Sequence, residues 1–315
     1  MLQVEIESFS YADKVILRNL YFSLNPGEHL SILGESGCGK STLLHLIYGL
    51  IHLENGKISY NEKTLLGPTG KLVPGEEFMK LVAQEYNIMP YTTVAENIGS
   101  YLSRMDEEKD ATRIDELLKL VDMEALKDTR VKTLSGGQKQ RVAMAKALAN
   151  EPEILLFDEP FSNIDTFRKN HLRRKLFKHL KQKNISCITA THDSEEALAF
   201  SDKILMLKNG TVEMYGTPEY IYQNVSDEYQ AGFFGESNLL PKSIIFSEKS
   251  SENVLLFPHE LKLSKEETKL QITVQKNYFK GSHYLIKGIW NNKEIFFLHS
   301  EKLEVNDVYW LTHSE

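Results

Sequence analysis

Short apolar runs alternate with longer segments of helical periodicity through the first two thirds of the chain. The apolar runs are bounded by turn-forming residues and lack polar alternation, which is typical of strands buried on both faces of a parallel sheet. They are HLSILG (29–34), ILLFD (154–158) and SCITAT (186–191). Amphipathic stretches such as 113–123 and 167–183 separate them. This order predicts an α/β fold with a parallel sheet.

Three further patterns divide the chain. Residues 94–150 have mostly helical periodicity, which predicts a separate helical lobe. Residues 203–216 predict a β-hairpin with Asn209-Gly210 as its two-residue turn. From about residue 237 the segments are β-rich and closely spaced, which predicts a small all-β domain, an OB-like and partly open barrel. We therefore predict two domains, residues 1–236 and residues 237–315.

Composition narrows the classes of function. The chain has 315 residues and a formal net charge of −7. We expect no nucleic-acid partner, because a nucleic-acid backbone attracts clustered Lys and Arg. No run of about 18 apolar residues occurs, so a role at a membrane would need a membrane-embedded partner. The two cysteines, Cys38 and Cys187, are too few for a disulfide framework and suit a reducing cytosol.

The segment GESGCGKST (34–42) matches the phosphate-loop pattern G-x-x-x-x-G-K-[ST], and it stands between a predicted strand and a predicted helix. Its glycines let the backbone wrap around phosphate oxygens, and the amides at the helix start attract negative charge. Lys40 would reach the β- and γ-phosphates, and the Ser41 hydroxyl would bind Mg²⁺. We predict nucleotide contacts from the whole loop: Gly34, Glu35, Ser36, Gly37, Cys38, Gly39, Lys40, Ser41 and Thr42.

A second candidate is ILLFDEP (154–160), where a predicted buried strand ends in two carboxylates. Asp158 could hold Mg²⁺ through water, and Glu159 could polarise an attacking water as general base. An ordinary acidic turn after a strand is the alternative. That alternative loses weight because the same domain carries a phosphate loop.

A third candidate is LSGGQ (134–138), which opens the helical stretch 139–149. Ser135 and Gln138 have the spacing of a capping box, in which each side chain bonds the other's backbone amide. Gly136 and Gly137 expose further amides at a helix N-terminus, which makes a second anion site. The two phosphate-seeking loops lie on different predicted lobes. One γ-phosphate is therefore most simply held between two copies of this protein.

The phosphate loop, LSGGQ and LLFDEP in this order resemble the nucleotide-binding subunit of ABC (ATP-binding cassette) transporters. The resemblance implies further roles at matching positions. Tyr11 would stack on adenine, although a surface or half-buried tyrosine is the alternative. Gln84 would sense Mg²⁺ and the γ-phosphate, and Asp165 in SNID (162–165) would lie at the dimer interface. His192, after the strand SCITAT, would contact the γ-phosphate, at the strand end where α/β sites form.

The same resemblance implies a complete working unit. ATP and Mg²⁺ would be the cofactors, with Ser41, Gln84 and Asp158 near the metal and with Glu159, His192 and Gln84 in catalysis. The chain would act as a head-to-tail homodimer on the cytoplasmic face of the cell membrane. Residues 84–93 would contact an integral membrane permease, and a solute-binding protein would be an indirect partner through that permease.

The β-rich tail bears on the direction of transport. FFGESNLLP (233–241) and FPHELKLS (257–264) are similar to parts of the regulatory domain of importers for sugars, polyamines, oxyanions and ferric iron. The tail therefore favours an ATPase subunit that powers import. An exporter ATPase, a soluble ABC ATPase of translation or DNA repair, and a phosphate-loop GTPase or kinase are the alternative functions. The segment 64–78 is least like the family and predicts a longer loop, to which we assign no role.

Overall fold

The computed structural model describes residues 1–103, 105–246 and 250–314. The chain divides into two compact units, Met1–Ile221 and Tyr222–Glu315. The division lies earlier in the chain than the domain boundary after residue 236, which stays a prediction from composition.

The first unit is built on a six-stranded sheet in the order β10-β9-β3-β8-β7-β6. The five strands from β9 to β6 pair in parallel, and β10 pairs with β9 antiparallel. Every residue of β3, β7 and β8 is buried, as expected of strands covered on both faces. The predicted parallel sheet is confirmed. Its strands are β3 (His29–Leu33), β6 (Met79–Val82), β7 (Ile154–Asp158), β8 (Ser186–Thr191), β9 (Lys203–Lys208) and β10 (Thr211–Gly216).

The predicted hairpin is confirmed at β9 and β10, where Asn209 and Gly210 both have positive φ, as the tight two-residue turn requires. A separate four-stranded sheet in the order β2-β1-β4-β5 packs its apolar face beside the parallel sheet. Its strands are antiparallel: β1 (Leu2–Tyr11), β2 (Lys14–Leu24), β4 (Asn55–Tyr60) and β5 (Lys63–Thr64). After Thr64, which ends β5, the segment to residue 78 is a loop, as predicted, with one 3-10 turn at Gly67–Thr69.

Helices accompany the parallel sheet, and those between residues 94 and 148 form the predicted helical lobe. They are α1 (Lys40–Tyr48), α2 (Val94–Gly99), α3 (Glu107–Leu120), α4 (Gly136–Leu148), α5 (Thr166–Gln182), α6 (Ser194–Phe200) and α7 (Pro218–Gln223), with 3-10 turns at Glu124–Leu126 and Val131–Thr133. Helix α4 contacts α2, α3 and β6, and it is buried continuously from Gln140 to Leu148. The helix therefore joins the lobe to the sheet, and its residues are exposed only near its N-terminus.

The second unit is mostly antiparallel β structure. A five-stranded sheet has the order β13-β17-β14-β15-β16, and its edge strands β13 and β16 also contact each other. The sheet therefore curls into the predicted partly open barrel. The elements are α8 (Glu228–Gly232), β11 (Asn238–Pro241), α9 (Lys242–Ile245), β12 (Asn253–Leu256), a 3-10 turn (Pro258–Glu260), β13 (Leu261–Leu263), β14 (Leu270–Phe279), β15 (Tyr284–Trp290), β16 (Lys293–His299) and β17 (Val308–His313).

A buried asparagine fastens the small β11–β12 hairpin to this barrel. Asn238 Nδ2 donates to the Phe296 carbonyl at 2.8 Å, and the Phe296 amide donates back to Asn238 Oδ1 at 2.7 Å. The side chain thus substitutes for a ladder pair, which satisfies a buried amide. Within the described ranges of the chain, no helix has the length and apolar character needed to cross a bilayer.

Candidate nucleotide-binding site

One edge of the parallel sheet gathers most of the predicted site. The phosphate loop (34–42) follows β3, Asp158 ends β7, His192 follows β8, and Gln84 lies two residues beyond β6. Parallel strands present their carboxyl ends at the same edge, where α/β proteins bind ligands. The register places Asp158 beside Ala190, so the β7 and β8 ends lie level with each other.

The phosphate loop is shaped by two left-handed glycines and closed by its own lysine. Gly37 has a φ of 83° and Gly39 a φ of 111°, which side chains other than glycine rarely adopt. Lys40 is buried, and its Nζ donates to the carbonyls of Gly34 at 2.7 Å and Glu35 at 2.9 Å. The ammonium group therefore lies in the centre of the loop, where α1 also directs its N-terminal amides.

The remaining loop positions differ in accessibility. Glu35, Ser36 and Gly37 are exposed, Ser41 and Thr42 are half-buried, and Gly34, Cys38 and Gly39 are buried. Burial raises the pKa of the Cys38 thiol, and the Lys40 charge opposes that rise. Cys38 is thus a packed neutral thiol rather than a nucleophile.

Asp158 and Ser41 form a group that suits a divalent cation. Asp158 is buried, and its Oδ1 has no hydrogen-bond partner among the described residues. Burial raises the pKa of Asp158, whereas a hydrogen bond from Ser41 lowers it. A buried, unpaired carboxylate oxygen beside a hydroxyl and the phosphate loop is a donor set that fits Mg²⁺, which takes few protein ligands and completes its shell with phosphates and water.

Glu159 and His192 face each other across the ends of β7 and β8. His192 Nδ1 lies 3.2 Å from Glu159 Oε1. The Glu159 side chain is only 17% exposed, whereas that of His192 is 60% exposed. The Glu159 amide donates to the Ala190 carbonyl at 2.9 Å, which continues the parallel ladder beyond Asp158. The predicted general base and the predicted histidine are therefore within hydrogen-bond distance.

The LSGGQ loop forms the predicted capping box at the start of α4. The Gln138 amide donates to Ser135 Oγ at 3.3 Å, and the Ser135 amide donates to Gln138 Oε1 at 2.9 Å. Gly137 is in close contact with another loop, because a Cβ there would lie 2.6 Å from the Asn163 carbonyl oxygen. At Gly136 the nearest atom would be 3.9 Å away. The two glycines therefore have different structural roles.

Three further predicted residues, Tyr11, Gln84 and Asp165, are exposed in this single chain. Tyr11 is exposed at the end of β1, with its ring edge-on to Phe9. Gln84 is exposed beyond β6. Asp165 is exposed and caps α5, with Oδ1 accepting from the Arg168 amide at 3.0 Å. Their assigned contacts with nucleotide, metal or a second chain stay predictions.

A buried ionic group behind His192 was not predicted from the sequence. The basic residues of the stretch 167–183 predict a solvated helix face rather than a nucleic-acid site. For Arg173 this prediction is wrong, because its side chain is 2% exposed. Its Nη2 donates to Asp193 and Glu196, both at 2.6 Å. Burial would raise the pKa of Asp193, but hydrogen bonds from Arg173 and Lys169 outweigh it and hold the pKa well below the usual range. This network fixes the backbone next to His192.

Comparison with known proteins agrees with this geometry. A family described as ABC transporter matches residues 17–162. The spermidine/putrescine import ATP-binding protein PotA of Clostridioides difficile (strain 630) is 33% identical over 322 residues, which cover 95% of this chain and 91% of that protein. The chain belongs to the ABC transporter family. PotA of Clostridium novyi (strain NT) is 32% identical over 314 residues, covering 93% of this chain and 89% of that protein.

Solved ABC structures resemble the larger part of the chain. CbiO1 from Clostridium perfringens, part of the transporter complex CbiONQ, has a TM-score of 0.62 at 28% identity, covering 71% of this chain and 90% of that one. The bacterial ABC transporter cassette MJ0796, solved as a dimer, has a TM-score of 0.61 at 30% identity, covering 69% of this chain and 99% of that one. The predicted ABC ATPase fold is confirmed, and the family makes this chain an ATP-binding, ATP-hydrolysing protein.

Alkylation of Cys38 should inhibit nucleotide hydrolysis, because an added group would displace the packed phosphate loop. The reaction should be slow near neutral pH, since the raised pKa keeps the thiol protonated, and it should accelerate by about tenfold per pH unit while the pH is below the pKa. Cys187 is fully buried with a pKa raised to about 12, so labelling should be confined to Cys38. N-ethylmaleimide labelling followed by mass spectrometry and ATPase assay tests this. Full activity after complete modification of Cys38 would contradict it.

Gly137→Ala and Gly136→Ala form a matched pair on the same helix turn. Alanine at 137 would place its Cβ against the Asn163 carbonyl, so we expect a loss of about 1–3 kcal/mol in the free energy of unfolding. Alanine at 136 has room and should be neutral or stabilising by up to about 1 kcal/mol, since alanine favours a helix. Thermal unfolding measures both. Equal melting temperatures for the two variants would show that the close contact does not constrain Gly137.

Proposed function

We propose that this chain is the ATP-hydrolysing subunit of a membrane importer, working as a head-to-tail homodimer beside a separate permease. The observation that carries the proposal is likeness over nearly the whole chain, including the β-rich second unit, to proteins named as import ATP-binding proteins. The dimeric cassette structures support the paired arrangement. The proposal places the dimer at the cytoplasmic face of the cell membrane.

Nucleotide binding begins at the phosphate loop. Lys40 would exchange its bonds to the Gly34 and Glu35 carbonyls for bonds to phosphate oxygens, and the loop amides would complete the cradle. Ser41 and Asp158 would hold Mg²⁺, with Gln84 joining them as its loop moves. When bound, Mg²⁺ supplies positive charge that neutralises the phosphates. Tyr11 is exposed at a strand end, which leaves its ring accessible for stacking on the adenine base.

Hydrolysis would depend on the pair Glu159 and His192. Glu159 would orient the attacking water and accept its proton, as a general base needs to lie within hydrogen-bond reach. His192 contacts the same carboxylate at 3.2 Å and would hold it in place while its exposed ring contacts the γ-phosphate. The Arg173 network anchors the segment that carries His192, so the ring is presented from a rigid support.

The second chain would complete each site. Its Ser135 and Gly137 would bring the N-terminus of α4 and the Ser135 hydroxyl to the γ-phosphate, where helix amides stabilise negative charge. ATP would close the dimer, and hydrolysis would let it open. Opening and closing would drive the permease between two access states. Residues 84–93 are the segment that we assign to permease contact.

We propose the class of the transported solute from the names of the relatives. Both PotA proteins are named for spermidine and putrescine import, so a polyamine is the substrate class that we assign. A solute-binding protein and the permease would select the solute, and this chain would supply the energy. Uptake of labelled spermidine in host cells with and without the gene tests the substrate. Retained uptake without the gene would reject the polyamine assignment.

Glu159→Gln should bind MgATP, form a stable dimer and hydrolyse ATP at about 10³-fold below the wild-type rate or lower, since the amide cannot accept a proton from water. Size-exclusion chromatography with MgATP and a phosphate-release assay measure the two effects. Turnover near that of the wild type would remove Glu159 as the base.

The trapped variant also tests the partner. Tagged Glu159→Gln, purified with MgATP from detergent-solubilised host membranes, should bring a polytopic permease with it. Recovery of ribosomes or DNA without a membrane protein would leave the ATPase chemistry in place and reject the transport role. If a permease is recovered but the reconstituted complex moves its solute out of the cytoplasmic side, the protein is an exporter subunit.

A further inference from the structure

The backbone of the proposed base is strained. Glu159 has a φ of 49°, in the left-handed region that non-glycine residues enter at a cost of about 1–2 kcal/mol. A glutamate has no local side-chain bond that favours this conformation. The surrounding structure must therefore hold the turn, and the contacts of the Glu159 carbonyl show how it does so.

The Glu159 carbonyl accepts two side-chain hydrogen bonds. Gln140 Nε2 donates to it at 3.0 Å, and Ser162 Oγ donates to it at 3.0 Å. Ser162 is exposed and belongs to the same turn. Gln140 is 2% exposed and comes from α4, one helical turn after the LSGGQ glycines. Among the side chains that bond the Glu159 carbonyl, Gln140 is thus the buried one that comes from outside the turn.

Both ends of the Gln140 amide are engaged. While Nε2 donates to the Glu159 carbonyl, Oε1 accepts from the backbone amide of Asn163 at 3.3 Å. A carbonyl on one side and an N–H on the other fix the orientation of the amide group. Gln140 therefore spans the loop 159–163 from its first residue to its last and holds its two ends at a set distance.

Asn163 extends this connection to the segment after β6. Its Nδ2 hydrogen-bonds the hydroxyl of Tyr86, two residues beyond Gln84. Lys146 Nζ, also on α4, donates to the carbonyl of the next residue, Asn87, at 2.9 Å. Helix α4 thus holds both the turn of Glu159 and the segment that we assign to permease contact.

We infer that Gln140 is a positioning residue for hydrolysis, and that Asn163 and Tyr86 connect it to segment 84–93. Gln140 keeps Glu159 in its left-handed conformation, which directs the carboxylate at His192. This inference rests on the proposed function, in which Glu159 acts as the base. None of these hydrogen bonds joins Gln140 to the phosphate loop, so substitution of Gln140 should leave the affinity for nucleotide unchanged.

Gln140→Met keeps the length of the side chain and removes both hydrogen bonds. We expect kcat to fall at least about tenfold, because the turn loses its buried support, while KM for ATP changes by less than about twofold. The matched control is Gln182→Met, at an exposed position that ends α5, and it should keep wild-type kcat. A lower melting temperature with unchanged kcat would show a purely structural role and overturn the inference.

A double-mutant cycle tests the extension without disturbing the core. Tyr86→Phe and Asn163→Ala should each lower kcat by about threefold to fivefold. The kcat of the double variant should be no lower than that of the less active single variant, because both changes remove the same hydrogen bond. Tyr21→Phe, an exposed tyrosine on β2, is the control for hydroxyl removal. Additive losses, or normal kcat in both single variants, would overturn the connection. This cycle also keeps the inference testable if Gln140→Met does not fold.

Wild-type and Glu159→Gln proteins assayed beside these variants distinguish failure of the positioning role of Gln140 from failure of Glu159 as the base. If the wild type hydrolyses ATP and Glu159→Gln does not, while Gln140→Met equals the wild type, the positioning role alone fails. If Glu159→Gln hydrolyses ATP at the wild-type rate, the proposed base fails first. All measurements use the full chain, so they do not depend on isolating the permease.

Discussion

Parallel pairing of β8 with both β3 and β7 is the constraint on which the rest of the structure depends. The phosphate loop follows β3, Asp158 ends β7 with Glu159 directly after it, and His192 follows β8. Since all residues of the three strands are buried, their register is set by core packing. Core packing therefore determines the geometry of the site, because it fixes the positions of the polar groups at the sheet edge.

That precision requires polar groups inside the core. Gln140 and Arg173 are each 2% exposed; Gln140 bonds the carbonyl of the proposed base Glu159, and Arg173 bonds the carboxylate of Asp193, the neighbour of His192. A buried polar side chain lowers stability unless its bonds are made. Here the bonds act on Glu159, whose backbone is strained, and on Asp193, which neighbours His192. The buried polar side chains therefore lie where the proposed mechanism needs a fixed orientation of Glu159 and His192.

The sequence carried enough information for the local features of the site. Apolar runs identified β3, β7 and β8, and the capping box at Ser135 was predicted from the spacing of two residues. These features depend on contiguous residues. The roles of Tyr11, Gln84 and Asp165 came from the family resemblance and remain predictions, because their proposed contacts involve ligands or a second chain.

Long-range features could not be predicted in this way. Gln140 bonds residues 19 and 23 positions away, and nothing in its neighbours distinguishes it from a solvated glutamine on a helix. The positive φ of Glu159 was equally hidden, since sequence signals for that conformation are glycine and asparagine. The basic stretch around Arg173 has the composition of a surface helix, and only the fold shows which of its cations is buried.

The position of Gln140 has a consequence for the two ATP sites of the proposed dimer. The N-terminus of α4 would serve the nucleotide of the other chain, whereas Gln140, one turn further on, bonds the turn of the proposed base, Glu159, in its own chain. Gly137 also contacts the loop 159–163 directly through the Asn163 carbonyl. A shift of α4 when its N-terminus meets phosphate would therefore move the turn of Glu159. Communication between the two sites then needs no element beyond one rigid helix and the loop packed against it.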